Sequence, residues 1–321
     1  MNILFHLHAY PNEVLAGAET MAHRIAKYLV SVGHEVKVLS RTAIEKKQTL
    51  DGVEVLQWVK DSDDSKEWLW SDLVITHLVN TYYCFNRARH FNKKLVHLIH
   101  NSFDDHLLRC RINANYVVYN SEYVKKQLGY NHKSCVCIPP VDYREFKRSD
   151  KGEYITLVNL NENKGGRILI EIAKRLPQYK FLAVNGGYYE QIQNTTIANI
   201  KYIKPQKNIK AVYEKSKIVL MPSEYESYGQ VAIEAISCGV PVINSKAQGL
   251  CSALGTASNA IDRNDIDAWC LEIDKLMTDK AYYKAKSDIA FERAKELDPI
   301  KYLAGLNEFL TQINNIKQWQ Q

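Results

Sequence analysis

Two glutamates eight residues apart, Glu226 and Glu234, carry the most legible chemistry in the chain. They lie in Pro222-Ser-Glu-Tyr-Glu-Ser-Tyr-Gly-Gln-Val-Ala-Ile-Glu-Ala-Ile-Ser-Cys-Gly-Val-Pro241. A carboxylate can accept two hydrogen bonds from a vicinal diol, as in a ribose or a hexose. Eight residues make about two helical turns, so both side chains could face one ligand. The amides of Ser227, Tyr228 and Gly229 precede the apolar pattern and would be donors at a helix N-terminus, suited to anions or sugar hydroxyls. Each piece alone has a plainer reading, with Glu226 a first-turn acid and Glu234 a solvated helix residue. Asp61-Ser-Asp63-Asp64 and Asp265-Ile-Asp267 contain the D-x-D spacing that can hold a divalent ion. The first lies in a polar loop with no strand leading into it, and the second where a helix starts. Both read as solvated or capping acids. His6 and His8 share one strand face without acidic or Cys partners nearby in sequence, so no metal is expected there.

The elements that must position these groups show as short apolar runs alternating with amphipathic stretches. Residues 3–7 read as a strand, 19–32 as a helix ending at Gly33, and 35–39 as the next strand. Further strands are expected at 53–59, 73–77, 95–100 and 116–120. After Pro139-Pro140, the polar stretch 142–152 reads as a linker. The pattern restarts with a strand at 154–160, a helix at 166–176 and a strand at 179–184. Strands at 218–221 and 240–244 flank a helix at 230–238, and helices alone fill residues 266–321. Strand, helix, strand in this order argues for parallel βαβ units. The expected fold is α/β, with two Rossmann-like, doubly wound domains facing a central cleft. The expected domains are 1–147 and 148–298, followed by a C-terminal helix, 299–321, that crosses back to the first. Ligands of such sheets bind beyond the carboxyl ends of the strands, where the loop carrying Glu226 would lie.

The chain has 321 residues, 46% hydrophobic and 24% charged, an ordinary globular composition. Its net charge of +6 is spread evenly, so bulk charge does not argue for nucleic acid. No apolar run approaches the roughly 20 residues that span a bilayer, and the start lacks a signal peptide's basic region and cleavage site. Seven cysteines without a CxxC pair suggest reduced thiols. A cytoplasmic protein is expected, one that residues 82–94 could also hold peripherally at the membrane. All ten histidines lie between His6 and His132.

The stretch from Pro222 to Val242 resembles the donor-binding E-x7-E signature of retaining GT-B glycosyltransferases of family 4, P-S-x-x-E-x-F/Y-G-x-x-x-x-E-A-x-x-x-G-x-P-V. Other segments follow in the family's order, from residue 1 to about 313. Ala16-Gly17-Ala18-Glu19 resembles the G-G-x-E loop after the first strand. Leu98-Ile-His-Asn101 falls where the family has a strand ending in His. Val118-Tyr-Asn-Ser-Glu-Tyr-Val124 resembles its N-S-E-x-V segment, and Ile138-Pro-Pro-Val-Asp142 its N-G-V-D stretch. Leu160-Asn-Glu-Asn-Lys-Gly165 resembles its R-L-x-x-x-K-G loop, with Asn159 where the family has arginine and Lys164 as the lysine. The Gly-Gly-x-x-E segment after the last strand is degraded to Ala247-Gln-Gly-Leu250.

The resemblance implies sugar transfer from a nucleotide-sugar donor, UDP-hexose by family habit, with retention and without a metal or other cofactor. It implies that Lys164 and the amides near Gly17 stabilise the leaving diphosphate. Glu226, with Ser227, Tyr228 and Gly229, would hold the donor sugar, and Glu234 the ribose. His100 would sit near the reacting sugar. Asn159 brings no charge where the family has one. The acceptor is harder to read: a glycan, a lipid-linked or small molecule, or a modified nucleobase in DNA. Residues 82–94 contain no acid and interleave aromatics with Arg87, Arg89, Lys93 and Lys94. They could contact a membrane surface or nucleic acid, or form a helix with packed aromatics and solvated cations. The rivals to a transferase are a nucleotide-sugar epimerase or hydrolase of the same fold, and a catalytically weakened nucleotide-sugar-binding protein.

Overall fold

The computed structural model describes residues 1–11, 16–60, 62–103, 115–129, 131–148, 152–187 and 189–316. The chain divides into two compact units, Met1–Pro140 with Pro299–Gln321, and Val141–Asp298.

Among the described residues, the first unit is built on eight strands: β1 Asn2–Leu7, β2 Glu35–Ser40, β3 Lys47–Leu50, β4 Val53–Gln57, β5 Leu73–His77, β6 Lys94–Ile99, β7 Tyr116–Tyr119 and β8 Lys133–Val136. Their order is β3-β4-β2-β1-β5-β6-β7-β8, parallel except for the β3–β4 hairpin. That hairpin turns on Asp51 and Gly52, both at positive φ (49° and 85°), the Asp-Gly signal of a two-residue turn. Its first strand was not among those expected from the sequence. Helices α1 Gly17–Ser31, α2 Ser65–Trp70, α3 Thr81–His90 and α4 Glu122–Leu128 connect the strands. Met21, Ile25 and Leu29 of α1 recur at helical spacing and bury against Ile3 and Phe5 of β1. Leu4, Val74 and Leu95 point to the other face and pack with Trp58, Trp68, Cys84 and Ala88.

Among the described residues, the second unit has six parallel strands: β9 Tyr154–Val158, β10 Lys180–Val184, β11 Ile200–Ile203, β12 Ser216–Met221, β13 Val242–Ser245 and β14 Ala260–Ile261. They are ordered β11-β10-β9-β12-β13-β14. Its helices are α5 Gly166–Arg175, α6 Lys210–Tyr213, α7 Gln230–Ser237, α8 Gln248–Leu254, α9 Ile266–Thr278 and α10 Lys280–Glu296. Ile168, Leu169 and Ile172 of α5 share a core with Trp269, Ile273 and Leu276 of α9 and the strand residues Ile155, Leu157, Phe181 and Leu220. Each fully buried aliphatic or aromatic side chain there contributes about 1.5–3 kcal/mol.

The last helix, α11 Pro299–Asn315, belongs to the first unit. Leu303, Leu306, Leu310 and Ile313 enter the core that holds Ile3 and Leu29. Lys94 Nζ donates to Asn314 O at 2.6 Å, and His34 Nε2 lies 2.6 Å from Asn307 Oδ1. The units divide at Pro140 and Val141, seven residues before the expected end of the first domain at 147. Polar residues read as a linker make ion pairs inside the second unit. Arg144 bridges Asp142 and Asp298 at 2.7 and 3.0 Å, and Arg148 pairs with Asp288. Among the described residues, no helix is long and apolar enough to cross a membrane.

Candidate functional site

In the second unit, residues 159–165 leave β9 and residues 222–229 leave β12 at the strands' carboxyl ends. These two strands are parallel neighbours, and the strand order reverses between them. Loops at such a reversal are where doubly wound sheets take ligands. Glu224 N donates to Asn163 O at 2.8 Å, tying loop to loop. Arg263 donates from Nε to Pro222 O at 2.9 Å and from Nη2 to Glu162 O at 2.7 Å. Gly165, at φ 91°, lets the first loop lie on Pro222; a Cβ there would stand 2.4 Å from Pro222 Cγ. Across this seam Lys164 Nζ meets Glu226 Oε1 at 2.5 Å. The same oxygen accepts from Ser223 Oγ at 2.9 Å, and Ser223 O accepts from Ser245 Oγ at 2.5 Å. The Lys164 and Glu226 side chains remain 29% and 12% exposed, within reach of a ligand.

The loop that carries Glu226, Ser227 and Tyr228 ends at Gly229, whose φ of 92° starts α7. Gly249, in the segment read as degraded, lets α8 approach this loop. A Cβ on it would stand 2.1 Å from Glu226 O. Ser223 belongs to the signature read from the sequence and Gly249 to the segment read as degraded, whereas Arg263 carries no sequence marker.

Glu234 is more buried than Glu226. It is 5% exposed, its Oε2 accepts from Tyr213 OH at 3.0 Å, and its Oε1 accepts from Gln230 Nε2 at 2.8 Å. The left-handed Gly229 interrupts the eight-residue interval, so the helical spacing that would align the pair does not run through it. Asn159 is also turned to the protein. It adopts φ 71°, which Asn tolerates better than most residues. Its Oδ1 accepts from Gln191 Nε2 at 3.2 Å, while Gln191 Oε1 accepts from the amides of Leu160 and Gly186 at 2.8 and 2.7 Å. Gly186 faces it so closely that a Cβ there would stand 2.4 Å from Asn159 Cγ. Asn159 thus braces the loop from which Lys164 projects.

The first unit reverses its strand order between β1 and β5. Gly17 opens α1 and is exposed. His8 follows β1, His77 ends β5 and His100 follows β6. His100 Nε2 lies 3.0 Å from His77 Nδ1, and His8 Nε2 lies 3.4 Å from Glu19 Oε1. His77 is fully buried; burial, then the neighbouring His100, His8 and His97, hold its pKa well below the usual histidine value, so it is neutral.

The acids read as solvated divide. Asp265 Oδ1 caps α9 through Ala268 N at 3.0 Å, and Asp63 Oδ1 accepts from Ser65 N at 3.0 Å. Asp61 lies outside the described residues. Asp64, by contrast, is buried. It accepts from Tyr83 OH at 2.7 Å and Trp68 Nε1 at 3.1 Å, pairs with Arg87, and lies 3.3 Å from His6 Nε2. His6 and His8 therefore do have acidic partners, Asp64 and Glu19, which folding brings from elsewhere in the chain. Burial pushes the Asp64 carboxyl up, but hydrogen bonds from His6 and Tyr83 and the charge of Arg87 outweigh it and lower its pKa to about 2. Burial opposes charge on His6, but Cys84 and Asp64 beside it prevail and raise its pKa to about 9.

Arg87, Lys93 and Lys94 of the 82–94 segment bond within the fold. Arg87 pairs with Asp64, Lys93 Nζ donates to Ser71 O at 2.5 Å, and Lys94 is buried against α11. Arg89 is exposed, with its guanidinium 5.8 Å from the Phe85 ring centre. Tyr82 is exposed as well, while Cys84 and Ala88 face the core. The segment is thus a helix edge with inward cations rather than a uniform cationic face.

Two Rossmann-like α/β units, each with a reversal in its strand order, define the GT-B fold of glycosyltransferases. Residues 142–294, nearly all of the second unit, match the family described as Glycosyl transferases group 1. Solved structures of similar fold include Anabaena HepE in complex with UDP-glucose, at a TM-score of 0.81 and 19% identity over 97% of this chain and 100% of that one. Sucrose-phosphate synthase from Thermosynechococcus elongatus gives a TM-score of 0.80 and 14% identity over 97% and 98%. The D-inositol 3-phosphate glycosyltransferase of Mycobacterium marinum is 25% identical over 201 residues, 52% of this chain and 43% of that protein. The chain thus matches less than half the length of that relative.

Proposed function

We propose that this chain is a retaining, metal-independent glycosyltransferase whose second unit holds a nucleotide sugar, a UDP-hexose. The Lys164–Glu226 contact at the strand-order reversal carries the reading, because it pairs a cation for a diphosphate with a carboxylate for sugar hydroxyls. The family match over residues 142–294 and the UDP-glucose bound by the HepE neighbour support it.

On donor binding, Lys164 exchanges Glu226 for the diphosphate, and Glu226 turns to the sugar hydroxyls beside the amides of Ser227, Tyr228 and Gly229. Glu234 receives the ribose diol in place of the Gln230 amide. The bond between the anomeric carbon and the diphosphate oxygen breaks with its electron pair going to the diphosphate. A new bond forms from the acceptor oxygen on the same face, and the acceptor's proton passes to the leaving diphosphate. Lys164 stabilises the charge that develops. The acceptor is a hydroxyl of a glycan, a lipid-linked sugar or a small molecule.

Turnover with a panel of nucleotide sugars tests this. Lys164→Ala should lower the rate by on the order of 10²–10³, with an unchanged melting temperature, and EDTA should not abolish transfer. Full activity in Lys164→Ala would overturn the assignment. The uncharged Asn159 favours a second reading, a nucleotide-sugar-binding protein with little turnover. Donor binding without transfer to any acceptor would support it, and an epimerised or hydrolysed donor would point instead to a single-substrate enzyme.

A further inference from the structure

We infer that His8, Glu19 and His77 form a binding site for a divalent transition metal of the zinc class in the first unit. Their ligand atoms all lie within 4.8 Å of one another. Three elements converge there: His8 after β1, Glu19 in the first turn of α1, and His77 at the end of β5, around the point where the strand order reverses. Glu19 and His77 are 1% and 0% exposed.

The second observation is the state of His77. Its Nε2 is buried and has no hydrogen-bond partner, whereas its Nδ1 lies 3.0 Å from His100 Nε2. A buried ring nitrogen without a partner is unfavourable, and a ligand would relieve it. With Nδ1–H donated to His100, Nε2 presents a lone pair, the tautomer that a metal requires. Metal-binding histidines are commonly oriented through such a bond from the other ring nitrogen. Two imidazoles and a carboxylate, with a fourth position open, match the ligand set of mononuclear zinc sites. Zinc–nitrogen bonds of about 2.0–2.1 Å need ligand atoms about 3.4 Å apart, so modest side-chain rotation closes the site. His8 lies 3.4 Å from Glu19 already. The exposed edge is on His8, whose side chain is 22% exposed and gives a metal its way in.

The site is tested without a sugar-transfer readout. The purified full chain is titrated with Co²⁺, following the visible bands of four-coordinate cobalt, and Zn²⁺ is then added in competition. One equivalent of Co²⁺ should bind with those bands and be displaced by Zn²⁺. His77→Ala and His8→Asn should each weaken binding at least tenfold, while His90→Ala, an exposed control, should leave it unchanged. His8→Asn keeps the test decisive if His77→Ala fails to fold, because His8 is partly exposed. Six-coordinate cobalt spectra, or binding unaffected by His8→Asn, would mean an adventitious ion only and would overturn the site.

Discussion

The residue scale separates groups poised for a ligand from groups committed to the protein. Lys164 and Glu226 hold each other across two loops and remain partly exposed, so a donor can separate them. Asn159 is committed. Its left-handed backbone, its bond to Gln191 and the close approach of Gly186 suit a short amide. Asn159→Arg should therefore not improve donor affinity. It should destabilise the second unit by about 1–2 kcal/mol through the positive φ, more with the lost hydrogen bond, lowering the melting temperature by several degrees. Calorimetry with and without UDP-glucose checks both, and a tighter-binding, equally stable variant would show that Asn159 merely replaces the arginine. The motif residues around Glu226 were legible in sequence because loop and helix start are local patterns. The partners of Asn159 and Glu234 were not, since Gln191 and Tyr213 lie 32 and 21 residues away with no pattern linking them.

At the scale of elements, one buried acid docks two helices on a strand. Asp64 precedes α2 and receives bonds from Trp68 of α2 and Tyr83 of α3, pairs with Arg87 of α3, and faces His6 of β1. His6 is raised to about 9 from 6.5, so its contribution is complete below about pH 6.5 and lost as pH rises through about 9. Asp64 is lowered to about 2 from 3.8, so its contribution is complete above about pH 3.8 and lost as pH falls toward about 2. Stability of the first unit should thus be greatest from about pH 4 to 6.5 in this respect. Asp64→Asn should flatten that profile and cost about 3–5 kcal/mol, the usual effect of breaking a buried pair. Melting curves from pH 3 to 10 measure it; an unchanged profile would place the pH dependence elsewhere. The surrounding sequence, polar on both sides, suggested a solvated acid, because nothing local reveals that Trp68, Tyr83 and His6 close over it.

Across the whole molecule, the chain order and the division into units differ. The first unit needs α11, which lies 159 residues beyond Pro140 in the chain. Leu303, Leu306, Leu310 and Ile313 are each at most 7% exposed. At about 1.5–3 kcal/mol apiece, their burial is worth about 6–12 kcal/mol as an upper estimate, comparable with the whole stability of a domain. A fragment of residues 141–298 should therefore melt cooperatively alone, whereas residues 1–140 should not fold without residues 299–316. Circular dichroism of the two fragments decides this, and a cooperative transition in residues 1–140 would show that α11 is dispensable.

The sequence by itself determined the alternation of strands and helices, two α/β domains, and the loop residues from Pro222 to Gly229 with Lys164. Those properties follow from periodicity and turn chemistry over a few residues. Only the tertiary structure decided which charged groups stay available. Lys164 meets Glu226 from 62 residues away, and His6 meets Asp64 from 58. It also joined His8, Glu19 and His77 and packed α11 onto the first unit. The reason is physical: a polar side chain's ionisation and reach depend on what is buried against it, and burial is set by segments distant in the chain.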